Sequence, residues 1–220
     1  RYGYTGTYLR TTNAGVNWDS SSIDLEPLEN IYLLNQNTGY VTGYGKIFRT
    51  TNKGASFAAF PTSSPYTWCD VCFPNESTGY CVYKYRVVDK TTDGGVTWTN
   101  ILPFSSGEYF TICFINGNTG FFGGSKIYKT TNGGASWDTV ITGLQSYYSC
   151  HKIRYINGSI YSIGQLYPAY DGIIMKSTND GQNWQIDTIE DENIIDISIP
   201  VPNTIYLAGW RNYIYKSVNN

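Results

Sequence analysis

A single phrase recurs along this chain, and it constrains the fold more than any other feature. It reads Thr11-Thr-Asn-Ala-Gly-Val-Asn-Trp18, Thr50-Thr-Asn-Lys-Gly-Ala-Ser-Phe57, Thr91-Thr-Asp-Gly-Gly-Val-Thr-Trp98, Thr130-Thr-Asn-Gly-Gly-Ala-Ser-Trp137 and Ser177-Thr-Asn-Asp-Gly-Gln-Asn-Trp184, with a sixth beginning at Ser217-Val-Asn-Asn220. The anchors Asn13, Asn52, Asp93, Asn132, Asn179 and Asn219 lie 39, 41, 39, 47 and 40 residues apart. A period near 40 is that of a four-stranded propeller blade.

The chemistry of the phrase explains its recurrence. A short Asn or Asp side chain accepts hydrogen bonds from backbone N–H groups two or so residues on and closes a turn. The glycines Gly15, Gly54, Gly95, Gly134 and Gly181 supply a positive φ. The aromatics Trp18, Phe57, Trp98, Trp137 and Trp184 return the chain to a strand and cover the turn. Each box is therefore a hairpin between two strands, here named c and d.

A second block precedes each box. Tyr32-Leu-Leu-Asn-Gln-Asn-Thr-Gly-Tyr-Val-Thr-Gly43 matches Cys113-Phe-Ile-Asn-Gly-Asn-Thr-Gly-Phe-Phe-Gly-Gly124, and Cys72-Phe-Pro-Asn-Glu-Ser-Thr-Gly-Tyr-Cys81 follows the same plan. This is strand a, a polar turn and strand b. Composition agrees, with 21 Tyr and 23 Gly in 220 residues and no sustained 3.6-residue apolar period, so almost no helix is expected.

The pattern Ser/Thr-x-Asp/Asn-x-Gly-x-x-Trp/Phe resembles the Asp box, or bacterial neuraminidase repeat. That repeat occurs in sialidases, sortilin-type receptors, xyloglucanases, photosystem II assembly factors and large secreted proteins of Bacteroidota-like bacteria. The resemblance covers the whole chain and implies one all-β propeller domain over residues 1–220, with boxes on one face. The first unit reads as starting at strand b and the last as ending after strand c. Six blades are therefore expected, with seven as the alternative if the chain is an excerpt; it does not begin with Met and looks like a mature or excised segment. The resemblance also implies a bacterial secreted or cell-surface location.

Enzymatic signatures are weak. Arg10 and Arg49 sit in the basic position before a box, which leaves Arg86, Arg154 and Arg211 without the early Arg signature of sialidases. Glu29, Asp70, Glu108, Asp171, Glu190, Asp191 and Glu192 read as solvated loop charges, and no carboxylate pair for glycoside hydrolysis can be assigned. No motif implies a cofactor. Of five cysteines, Cys69 and Cys72 form a C-x-x-C without the further ligands of a zinc site, since His151 is the only His. Buried cysteine acting as a small apolar residue is one reading. The other is a cystine between Cys72 and Cys81, which flank an a–b turn.

A formal charge of −2 gives no reason to expect a nucleic-acid partner, and no apolar run is long enough to insert in a bilayer. The expected function is a non-catalytic module for a protein or carbohydrate partner, with a structural spacer as the alternative. Boxes and a–b turns fill one end of each blade with repeat structure. Variation, and hence binding, is expected at the b–c and d–a links. The b–c links carry Tyr44, Tyr85, Arg86, Tyr167, Tyr170, Trp210 and Arg211. The d–a links add Trp68, with Tyr66, Tyr109, Tyr147 and Tyr148. Tyr, Trp and Arg are the residues that form hot spots and stack on sugar rings.

Overall fold

Each box builds a hairpin, and each hairpin extends into an antiparallel sheet whose strands pair in the order they occur in sequence. The computed structural model describes residues 6–24, 27–43, 45–63, 69–84, 87–101, 108–140, 147–201, 204–211 and 213–218. The chain divides into two compact units, Arg1–Phe104 and Ser105–Asn220.

The first unit opens with a hairpin, β1 (Gly6–Arg10) and β2 (Asp19–Asp24). Two four-stranded sheets follow. One runs β3 (Leu28–Leu33), β4 (Gly39–Gly43), β5 (Lys46–Thr50) and β6 (Ala58–Pro61). The other runs β7 (Cys69–Cys72), β8 (Gly79–Tyr83), β9 (Val87–Thr91) and β10 (Thr99–Asn100).

The second unit holds β11 (Tyr109–Phe114), β12 (Gly120–Gly124), β13 (Ile127–Thr130) and β14 (Asp138–Thr139). A larger sheet follows, of β15 (Tyr147–Ile156), β16 (Ser159–Tyr167), β17 (Gly172–Ser177) and β18 (Gln185–Ile189). Three strands close the series, β19 (Ile194–Val201), β20 (Thr204–Gly209) and β21 (Ile214–Ser217).

The expectation of six or seven blades is thus corrected to five, four of them four-stranded and the last three-stranded. Among the described residues the first box stands on a two-stranded c–d hairpin. The strand b expected before it falls on residues 1–5, outside the described residues.

Strand b forms the buried middle of each blade. All five residues of β4, β8 and β12 are buried, including Tyr40, Tyr80 and Phe121 at 1% exposure or less. Burying side chains of this size contributes roughly 1.5–3 kcal/mol each. Within each unit, consecutive blades share apolar clusters. Val71 and Phe73 pack with Tyr40 and Ile47 of the preceding sheet, and Ile153 packs with Phe121 and Ile127.

The boxes close as hairpins by a hydrogen-bond set wider than the sequence suggested. The anchor oxygen reaches four residues on, not two: Asn13, Asn52, Asp93, Asn132 and Asn179 each accept the N–H at that position at 2.9 Å. The first Thr or Ser of the box also takes part. In the third box Thr91 Oγ1 donates to Asp93 at 2.7 Å and accepts Gly95 N–H at 2.9 Å. Trp18, Trp98 and Trp184 donate their indole N–H to the box glycine carbonyl at 3.0–3.2 Å. The backbone needs two consecutive positive φ angles, as at Gly94 (72°) and Gly95 (89°).

The a–b turns are built alike, with Asn35, Asn75 and Asn116 accepting two N–H groups each. They bond directly to the boxes, as in Gly94 N–H to Ser77 O and Gly133 N–H to Asn118 O. In the blades of β3–β6, β7–β10 and β11–β14, turns and boxes therefore share one end, as expected.

The predicted Cys72–Cys81 cystine does not form. Cys81 is disulfide-bonded, but Cys72, like Cys113 and Cys150, is a buried thiol. Register is the reason: Cys72 pairs with Tyr80 and Cys81 with Val71. A one-residue offset sends the two side chains to opposite faces of the sheet.

Candidate functional site

Four of the eight residues singled out as ligand-binding, Tyr44, Trp68, Tyr85 and Arg86, lie outside the described residues, as does Tyr66. The other four, Tyr167, Tyr170, Trp210 and Arg211, all fall in the second unit, at the link end of its last two blades.

The long 47-residue interval becomes an extension of one hairpin. β15 and β16 run 10 and 9 residues, against 4–6 for most other a and b strands, and the added pairs include Tyr147 with Tyr167. The tip turns through a cis Tyr167–Pro168 bond and a positive φ of 64° at Tyr170. Three tyrosines gather there. Tyr147 lies 5.6 Å from Tyr167, and Tyr167 lies 5.2 Å edge-on to Tyr170. Buried Gln165 holds the tip: its Oε1 accepts the Tyr167 hydroxyl at 3.0 Å and its Nε2 donates to Tyr170 O at 3.2 Å. Tyr147 and Tyr170 remain 59% and 56% exposed.

A polar chain runs from this ridge to the next blade. Asp171 Oδ1 accepts Asp191 N–H at 2.9 Å, and Asp191 forms a two-point ion pair with Arg211 at 2.5 and 2.9 Å. Both charges are more than half exposed, so the pair orients Arg211 more than it stabilises the fold. The Asp191 carboxylate beside it raises the Arg211 guanidinium further above its usual range.

Glu192, next in sequence, is buried, contrary to its reading as a solvated charge. It accepts Asn193 N–H at 2.8 Å, Trp210 N–H at 3.1 Å and the Tyr215 hydroxyl at 2.9 Å. Burial alone would raise its carboxyl. The hydrogen bonds from Asn193, Tyr215, Trp210 and Arg211 outweigh that and hold it below the usual carboxylate range. It thereby fixes the backbone of Trp210, a residue that is 73% exposed. Asn193 Oδ1 is buried beside it without a hydrogen-bond partner among the described residues.

Other expectations are corrected. Tyr109 and Tyr148 are buried at 0% and 5% exposure and belong to the core. Asp70 is also buried, accepting Asn30 Nδ2 and Val71 N–H. His151 is largely buried with Nδ1 2.9 Å from Ile194 O, and burial lowers its pKa. Glu192 was missed as an organiser because its partners Trp210 and Tyr215 lie in a later element, and Gln165 because only the folded tip turns Tyr167 and Tyr170 back onto it. Glu192 and Trp210 are 18 residues apart and meet only through strand register. Among the described residues no group of three His, Cys, Asp or Glu could hold a metal.

No family model and no curated protein matches the chain. Solved structures do. A structure described as YCF48 bound to D1 peptide is 16% identical at a TM-score of 0.72, with 99% of this chain and 73% of that one covered. YCF48 from Cyanidioschyzon merolae is 14% identical at 0.70, covering 96% and 74%. The GH74 xyloglucanase from Xanthomonas campestris is 12% identical at 0.69, covering 87% of this chain and 37% of that one. The chain thus spans about three quarters of the YCF48 structures and just over a third of the glycoside hydrolase. At these identities the likeness carries the fold, which is that of an all-β propeller with four-stranded antiparallel blades.

Proposed function

We propose that residues 1–220 form one Asp-box propeller domain, secreted or at a bacterial cell surface, that binds a protein segment without transforming it. The observation that carries this reading is the exposed ridge of Tyr147, Tyr167 and Tyr170 beside Trp210 and the oriented guanidinium of Arg211. Rigid aromatics with an Arg at their side are the usual anchors of protein recognition. The likeness to a propeller that holds a peptide supports a protein partner. The acidic groups nearby support a non-catalytic role: Glu192 is buried under backbone N–H groups and Asp191 is ion-paired, whereas glycoside hydrolysis needs two carboxyls facing a groove.

The second reading is a carbohydrate ligand, because the same rings can stack on sugars. Screening the protein against peptide and glycan arrays separates the two. The variants Trp210→Ala and Tyr170→Ala should each weaken the selected partner about 30-fold, with circular dichroism unchanged. Undiminished affinity in both variants would overturn the placement of the site, and binding to glycans alone would overturn the protein partner.

A further inference from the structure

Aromatic rings on strand b are repeatedly paired with a cation in this fold. The nitrogen of Lys90 stands 5.3 Å from the ring centre of Tyr80, and that of Lys129 5.7 Å from Phe121. Lys176 lies 5.7 Å from Tyr161 and Lys216 5.6 Å from Tyr206. Register produces each pair, because the lysine of strand c sits directly opposite the ring of strand b. The ammonium is attracted to the negative face of the ring.

The tyrosine ridge at the link end of the β15–β18 sheet differs. Among the described residues no Lys or Arg lies over Tyr147, Tyr167 or Tyr170. The Tyr167 ring is inclined 59° to Tyr147 and 71° to Tyr170, so neither pair is stacked face to face. Its hydroxyl bond to buried Gln165 fixes the middle ring. The charge beside the rings is negative. The tip, residues 164–172, and the d–a turn beside it, residues 190–193, carry Asp171, Glu190, Asp191 and Glu192 and no Lys or Arg. Asp171 joins the two segments by accepting Asp191 N–H. The cation brought by the next blade, Arg211, is held by Asp191.

We propose that the ridge of Tyr147, Tyr167 and Tyr170 takes a lysine ammonium from the bound protein segment. The rings supply open faces, and Asp171 and Glu190 supply the negative field that draws a cation to them. Steeply inclined rings suit a compact ammonium better than a planar guanidinium, which gains most by lying flat on one ring. The partner's lysine thus does for these rings what Lys90, Lys129, Lys176 and Lys216 do for those of strand b. This names the partner chemistry of the site proposed above and rests on that reading.

The probe is a fluorescein-labelled hexalysine peptide, read by fluorescence anisotropy beside its Nε-trimethylated and Nε-acetylated forms. Saturable binding is expected, kept to within about threefold by trimethylation and lost on acetylation, which removes the charge. Tyr147→Leu and Tyr170→Leu keep apolar bulk without the ring and should each weaken binding about fivefold, and Tyr147→Phe should restore it. Asp171→Asn keeps an acceptor for the Asp191 N–H and should weaken binding about threefold at low salt and less at high salt. Circular dichroism of each variant should match the parent. Absence of saturable binding, equal binding of the acetylated peptide, loss on trimethylation, or indifference to both leucine variants would overturn the proposal. Array peptides that depend on Trp210 yet contain no lysine would overturn this inference alone. Glycans as the sole ligands would overturn the reading on which it rests.

Discussion

The two ends of each blade are held in contrasting ways. At the box end the bonds are local: Thr91, Asp93, Gly95 and Thr97 satisfy one another within seven residues, and the same set recurs in all five boxes. At the link end the bonds cross between elements, as Arg211 to Asp191 over 20 residues and His151 to Ile194 over 43. The box end is a chemical unit that can be copied. The link end depends on where register brings distant residues together, and it differs from blade to blade.

The largest effect is expected at the link end. A β-bulge in strand a there draws its backbone close to the end of strand b. A Cβ at Gly164 would stand 1.9 Å from Ser149 O, and one at Gly124 would stand 1.6 Å from Glu108 O. Gly164→Ala should destabilise the protein by about 3 kcal/mol, read from urea unfolding. A cost below about 1 kcal/mol would mean that the close approach is not rigid. The blade of β7–β10 has no such bulge and carries Tyr83 at this position.

A smaller effect tests the box end. Thr91→Val removes the acceptor of the buried Gly95 N–H while keeping shape, and should cost about 2 kcal/mol. Thr12→Val, on an exposed residue whose side chain makes none of the bonds that define the box, should cost far less. Similar losses at both sites would break the assignment of closure to the first Thr. The smallest change should be a gain. Lys53 holds a φ of 61° where the third and fourth boxes have Gly94 and Gly133. Lys53→Gly should stabilise by about 0.5–1 kcal/mol, visible as a modest rise in Tm.

This contrast also decides what could be read from the residues alone. The boxes and the Asn-x-x-Thr-Gly turns were legible because their partners lie within a few positions. The strands between them followed, and with them the propeller blade. The Cys72–Cys81 expectation failed by one step of register, and the blade count failed because among the described residues the first box carries a two-stranded hairpin rather than a blade. At the candidate site, Tyr167, Tyr170, Trp210 and Arg211 were visible as unusual residues on links. Glu192 and Gln165, which hold them in place, were not, because nothing in their sequence neighbourhood marks them as buried.

The pairing order has a consequence for how the chain is made. Every strand of every sheet pairs only with strands adjacent to it in sequence. No strand must wait for a distant partner, so each blade can form as soon as its roughly 40 residues have left the ribosome. Within each unit, a new blade finds the apolar face of the previous one already assembled. Synthesis therefore proceeds like templated growth, in which the exposed face at any moment is one blade wide, and aggregation-prone surface stays small however many repeats are added.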